Sequence, residues 1–136
     1  METTALIEMG KDGTFGVFTP DLENTIIGDG KTVEEAKADF KNSLREVLEV
    51  YIKNDTELPD ELRDIKFVFK YDLSSFFNSY PMLNISQLAK AANINISLMH
   101  QYKAGQYISE KQIGKIERIL HKIGSELSRI QLYRKY

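Results

Sequence analysis

The chain has 136 residues, 42% hydrophobic and 28% charged, with a formal net charge of −2, the make-up of one folded domain or two very small ones rather than of a disordered segment. It has no cysteine, which excludes disulfides and thiolate metal sites; with His100 and His121 the only soft ligands, no metal or other cofactor is expected. No apolar run approaches the ~20 residues that span a bilayer and the N-terminus carries no signal-peptide pattern, so the expectation is a soluble, cytoplasmic protein without membrane contact.

The small net charge hides an asymmetry. Residues 1–70 hold nine Lys/Arg against sixteen Asp/Glu (9 − 16 = −7), and residues 71–136 hold nine against four (9 − 4 = +5). Charge divided in this way points to different partners for the two halves.

In chain order, Thr3 to Met9 is apolar and β-compatible, and Lys11-Asp12-Gly13 follows. Asp-Gly between two β-type runs signals a hairpin, because both residues tolerate positive φ. The return strand is expected from Thr14 to Thr19, with Phe15 and Val17 on one face and Phe18 on the other. Pro20 cannot donate to a ladder and ends it. A third short strand is expected at Thr25 to Ile27, with Gly28-Asp29-Gly30 as a loop. Thr32 with Glu35 forms a capping box, and Ala36, Phe40, Leu44, Val47, Leu48 and Tyr51 then make one apolar stripe at helical spacing. That helix should reach about Lys53 and stop at Asn54-Asp55. Ile65, Phe67, Phe69 and Tyr71 alternate with Lys66, Val68 and Lys70, the pattern of a half-buried strand. The order β-β-β-α-β makes residues 1–71 an α+β module with a helix on one sheet face.

Asp12, Asp21, Glu23 and Asp29 raise the alternative of a Mg²⁺-dependent nuclease, since clustered carboxylates can hold the ion. Turn carboxylates are ordinarily turn formers with solvated side chains. Gly28 and Gly30 lack the Lys-Ser/Thr that completes a phosphate-binding loop, and no Ser/His/Asp set stands out. No catalytic residue is therefore assigned, and no enzyme is expected.

Residues 72–136 read as all-α. Asp72 can cap a short helix from Leu73 to about Ser79, which Pro81 terminates. Asn84 or Ser86 can cap the next, with Ile85, Leu88, Ala89 and Ala92 inward. Asn93 stands where a tight turn needs a left-handed residue, and Asn tolerates that conformation best after Gly. Ile94 plugs the turn, and Asn95 or Ser97 starts a helix with Met99 and Tyr102 inward. Ser109 with Gln112 can cap a last helix, in which Ile113, Ile116, Leu120, Ile123, Leu127 and Ile130 form an a/d-like seam. Core packing is expected before Lys122 and self-association after it.

The segment from Gln87 through Ala89, Asn93 and Ile94 to Gln106 resembles the Cro and repressor type of helix-turn-helix, without a gap. It departs in carrying Asn93 where that pattern usually has Gly, and in having no Arg early on the reading helix. The resemblance implies that this helix lies in a major groove. Asn95, Ile96, Ser97, His100 and Gln101 would face the bases, and Lys90, Lys103 and Lys111 the phosphates.

The pairing of that segment with the N-terminal module resembles the HicB antitoxin family of type II toxin–antitoxin systems. Phe18-Thr19-Pro20-Asp21-Leu22, Gly28-Asp29-Gly30 and Thr32-Val33-Glu34-Glu35-Ala36 carry the likeness; Glu23-Asn24-Thr25 departs from the family's usual Pro-Gly-Cys. The resemblance implies a degenerate ribonuclease-H-like module that neutralises a small basic toxin of the HicA type, an mRNA-cleaving protein. Phe18, Asp21, Leu22, Glu23 and Asp29 would meet the toxin. It also implies repression of the chain's own operon through operator DNA, bound as a homodimer or higher homo-oligomer. A regulator whose N-terminal module senses a small ligand is the alternative.

Overall fold

The computed structural model describes residues 2–135. They form a mixed α+β fold of four strands and five α-helices, divided into two compact units, one ending at Ser79 and the other beginning at Tyr80.

In the first unit β1 (Glu2–Met9), β2 (Phe15–Phe18), β3 (Ile27–Gly30) and β4 (Lys66–Tyr71) form one sheet in the order β3-β2-β1-β4. β1 pairs antiparallel with β2, with Ile7 opposite Val17, and β2 antiparallel with β3. β4 runs parallel to β1, Ala5 opposite Phe69. The β1–β2 hairpin turns at Gly13, whose φ is +82°. Asp12 holds the turn, accepting from the Thr14 hydroxyl at 2.7 Å and the Thr14 N–H at 3.0 Å. Two consecutive hairpin connections keep β1, β2 and β3 adjacent. The long helix α1 (Val33–Lys53) supplies the crossover that brings β4 back parallel.

α1 starts with one half of its capping box, while the other half reaches one residue further back, to Lys31 instead of Thr32. The Glu35 N–H donates to the Thr32 hydroxyl at 3.1 Å, and the Glu35 carboxylate accepts from the Lys31 N–H at 2.9 Å. Its buried face, led by Ala36 and Phe40, lies on Ala5, Ile7 and Val17. The Phe40 ring meets Phe67 and Phe69 edge-on at centroid distances of 5.2 and 5.8 Å, an arrangement that suits the ring quadrupoles.

The third strand differs from expectation. Gly28-Asp29-Gly30 is not a loop but most of β3. A Cβ on Gly28 would stand 2.3 Å from the Phe40 nitrogen, and one on Gly30 would stand 2.5 Å from the Ala36 nitrogen. These glycines serve close approach rather than turning. They let the backbone of α1 lie directly on the sheet edge.

The division between units also falls later than the expected 71/72. Helix α2 (Leu73–Ser79) belongs to the first unit. The Asp72 N–H donates to the Ile7 carbonyl at 3.0 Å, extending the β1–β4 pairing. The Asp72 carboxylate caps α2 through the Ser75 N–H and hydroxyl, and the Ser75 hydroxyl oxygen accepts from the Met9 N–H at 2.8 Å. A capping motif thus doubles as a clasp on the end of β1.

The second unit comprises α3 (Ile85–Ala92), α4 (Ile96–Lys103) and α5 (Glu110–Leu127). Its core is Leu88, Ala89, Ala92, Ile94, Met99, Tyr102 and Ile116. α5 starts at Ser109, whose hydroxyl accepts from the Gln112 N–H. It ends before Ile130, so the last residue of the expected seam lies outside the helix. Among the described residues no helix is long and apolar enough to cross a membrane.

Candidate functional site

The most defined surface of the second unit is built by two short helices and the turn between them. The Asn84 carboxamide oxygen caps α3, accepting from the Gln87 N–H at 3.0 Å. α3 then ends at Asn93 with φ 57° and ψ 49°, the left-handed conformation expected there. The Asn93 N–H donates to the Lys90 carbonyl and the Ile94 N–H to that of Ala89, so two of the last-turn carbonyls of α3 are satisfied. Ile94 is buried beneath the turn. Asn95, not Ser97, caps α4, its side-chain oxygen accepting from the Leu98 N–H at 3.2 Å. Ala89, a small residue, is fully buried in the core of this unit.

This packing decides what α4 shows to solvent. Met99 and Tyr102 are buried, while Ile96, Ser97, His100 and Gln101 are exposed, with Ala104 exposed just past the helix end. Positions 96, 97, 100, 101 and 104 recur at the spacing of one helical face. Asn95 is exposed too, with its oxygen engaged by the cap and its N–H₂ open to an outside partner. Lys90 and Lys111 are exposed and Lys103 is half-buried. Gln101 presents a donor and an acceptor together, the pair that reads an adenine edge; Ile96 offers an apolar contact of the kind a thymine methyl makes.

The N-terminal candidates separate into different environments. Asp21, Glu23 and Asp29 are exposed. Leu22 is only 8% exposed and belongs to the core, which corrects its expected place on a binding surface. The reason is the loop that carries it. The Ile26 N–H donates to the buried Thr19 hydroxyl at 2.9 Å and the Thr19 N–H to the Ile26 carbonyl at 3.2 Å, pinching residues 20–25 into a closed loop with Leu22 inside. The Glu23 N–H is tied to the Glu61 carboxylate at 3.1 Å. The Asp29 N–H is tied to Asp39 at 2.9 Å.

Phe18 sits on the sheet face away from α1, half-buried, opposite Leu6 on β1 and opposite Ile27 on β3. The three form an apolar row across the strands, and Ile27 is 54% exposed. Asp29 shares that face by strand alternation. Sequence reasoning missed Leu6 and Ile27. The signal was present in Leu6, which stands out of phase between the core residues Ala5 and Ile7.

Asp12, Asp21, Glu23 and Asp29 do not assemble into a metal site. Among the described residues no three His, Asp or Glu side chains are grouped as ligands. The hydrogen bond from the Thr14 hydroxyl, with that from the Thr14 N–H, holds the Asp12 carboxyl below its usual range. Asp12 is a turn former. No family model matches the chain, and neither does any curated protein or solved structure.

Proposed function

We propose that the chain is an antitoxin of the HicB type, neutralising a small basic HicA-type mRNA-cleaving toxin with its first unit and repressing its own operon with its second. The observation that carries this reading is the face of α4. Ile96, Ser97, His100 and Gln101 are exposed together on a helix seated on α3 through the left-handed Asn93 turn. In the proposal α3 and α4 act as a helix-turn-helix, with α4 in the major groove of operator DNA. Gln101 and Ile96 meet bases, and Lys90, Lys103 and Lys111 meet phosphates.

The charge balance supports the division of labour. Residues 1–79 carry nine basic against seventeen acidic side chains (9 − 17 = −8), and residues 80–136 carry nine against three (9 − 3 = +6). An acidic unit attracts and selects a basic RNA-binding toxin, and a basic one favours DNA phosphates. In the first unit, read as a degenerate ribonuclease-H-like module, Phe18, Leu6 and Ile27 supply an apolar patch beside Asp29, with Asp21 and Glu23 as further acidic contacts. Self-association rests on the apolar residues after Lys122. Leu127 and Ile130 are exposed, and Leu132 and Tyr133 are 93% and 90% exposed within one chain, a surface that a second copy would cover.

Co-expression with the adjacent small reading frame tests the antitoxin reading. A basic protein should co-purify and be toxic when expressed alone; if none does, the reading fails. For DNA, Gln101→Ala should relax preference at one base position by about 1–3 kcal/mol, whereas Lys103→Ala should weaken binding to all sequences alike and lower the salt slope by about one. Equal loss on every sequence for Gln101→Ala removes it from base reading.

A further inference from the structure

α5 carries a second organised surface. Lys111, Lys115, Arg118 and Lys122 recur at intervals of four, three and four residues, which places them in one row along the helix. The core-facing residues Ile116, Leu120 and Ile123 lie on the opposite side of the same helical wheel. Lys111, Arg118 and Lys122 are exposed and Lys115 is half-buried. None of the four forms an ion pair among the described residues, and Glu126, one turn beyond Lys122, does not reach it. The Arg118 guanidinium lies back along the helix, one nitrogen 3.8 Å from where a Cβ on Gly114 would be.

The exposed part of α1 is arranged differently. It intersperses acidic and basic residues and includes the Arg45–Glu49 pair at 3.9 Å, as solvated helices commonly do. Like charges three and four residues apart weaken a helix. A row of cations without interleaved carboxylates is therefore poorly explained by the stability of α5, and well explained by a polyanion that neutralises it.

The proposed reading face points to the same ligand. Ile96, Ser97, His100, Gln101 and Ala104 contribute no Lys or Arg. Binding to duplex DNA draws most of its affinity from phosphate neutralisation, so the cations must come from outside that face. α5 holds four of the nine basic residues of this unit in one row. From Lys111 to Lys122 the helix rises about 16 Å, close to the axial rise of roughly five phosphates along one strand.

We infer that the Lys111–Lys115–Arg118–Lys122 row of α5 is a second DNA-contacting surface, which grips the phosphodiester backbone independently of base sequence and extends the footprint beyond the groove read by α4. The inference rests on the DNA-binding reading of the second unit.

The test is a salt titration of the full-length triple variant Lys115→Gln/Arg118→Gln/Lys122→Gln, with Glu117→Gln as a charge-change control and far-UV circular dichroism to confirm that α5 is retained. Fluorescence anisotropy would follow binding to the duplex upstream of the chain's own reading frame and to a random-sequence duplex of equal length. Losing three phosphate contacts should lower the slope of log K against log salt by about 2.7, from about 0.9 per contact, and weaken both duplexes by the same factor. The control should leave the slope unchanged or raise it. A triple variant that binds with the parent slope overturns the inference while leaving the DNA-binding reading intact. An unchanged slope with an altered oligomeric state overturns it in favour of contact with the acidic unit of a second copy. A parent chain that binds neither duplex overturns the DNA-binding reading itself, and this inference with it.

Discussion

The two units solve the same problem, burying enough apolar surface in a small chain, in opposite ways. The first closes a sheet under one long helix, with Phe40 and Ile7 fully buried and two glycines on β3 leaving room for the helix backbone to come close to that strand. The second makes do with three helices and a left-handed turn, and leaves Leu127, Ile130, Leu132 and Tyr133 in solvent. The lesson is where each unit has slack. In the first, a methyl group at the helix–sheet contact is intolerable. In the second, the sensitive point is a backbone conformation.

The contrast is broken most forcefully at Gly28. A Gly28→Ala methyl meets the backbone of Phe40, which cannot rotate away as a side chain can. Overpacking of this kind costs about 3 kcal/mol, and the damage should be confined to the first unit. In urea unfolding followed by two-dimensional NMR, amides of β1–β4 and α1 should lose their structure earlier, while those of α3–α5 keep the parent midpoint. An equal shift of both sets means that the units unfold as one, and the comparison collapses.

The second unit is probed at Asn93. Its φ of 57° strains an ordinary L-residue, so Asn93→Ala should cost about 1–2 kcal/mol. Asn93→Gly should stay near the parent, because Gly adopts this conformation freely. Equal stability for the Ala and Gly variants, read from the amides of α3 and α4, removes the left-handed turn as the sensitive point.

These sites also show how much could be read in the sequence. Asn93 was legible, because few residues other than Gly accept positive φ and the chain around it alternates cap, plug and cap. The Thr32 cap of α1 and the Ile65–Tyr71 alternation were legible for the same reason, each being a local rule; the Glu35 carboxylate, expected on Thr32, reaches Lys31 instead. Gly28-Asp29-Gly30 was misread as a loop. Glycine marks both turns and close approaches, and only the position of α1, a contact ten or so residues away, separates the two. Leu22 was misplaced because the Thr19–Ile26 hydrogen bonds that fold its loop inward leave no composition signal. The unit boundary moved for a similar reason: the Ser75–Met9 clasp joins residues far apart in sequence. For the proposed DNA surface, the α4 face followed from helical spacing. Of the basic row of α5 only Lys111 was legible there; Lys115, Arg118 and Lys122 share a helix whose dominant pattern is the apolar seam on its opposite side.

The gentlest way to sharpen the comparison is acid. Asp12 stands at the β1–β2 turn with its carboxyl held below the ordinary aspartate value, chiefly by the Thr14 hydroxyl and then by the Thr14 N–H. A carboxyl whose folded value lies below its unfolded one stabilises the fold above the unfolded value, and that contribution is lost as pH falls through the folded value. The window therefore opens just below the ordinary carboxylate range and closes at the lower, folded value. Thr14→Val removes the hydroxyl donor and keeps the N–H, so the Asp12 titration should move up toward its ordinary value without reaching it. The side-chain carboxyl carbon, followed by NMR as pH is lowered, reads this directly in the folded protein. The site is fully exposed, so the change in stability should be the smallest of the three and local to the hairpin. If Asp12 titrates at the same pH in the parent and the variant, the hydroxyl does not set its charge. The Thr14 N–H, with Gly13 at its positive φ, would then be what holds the turn.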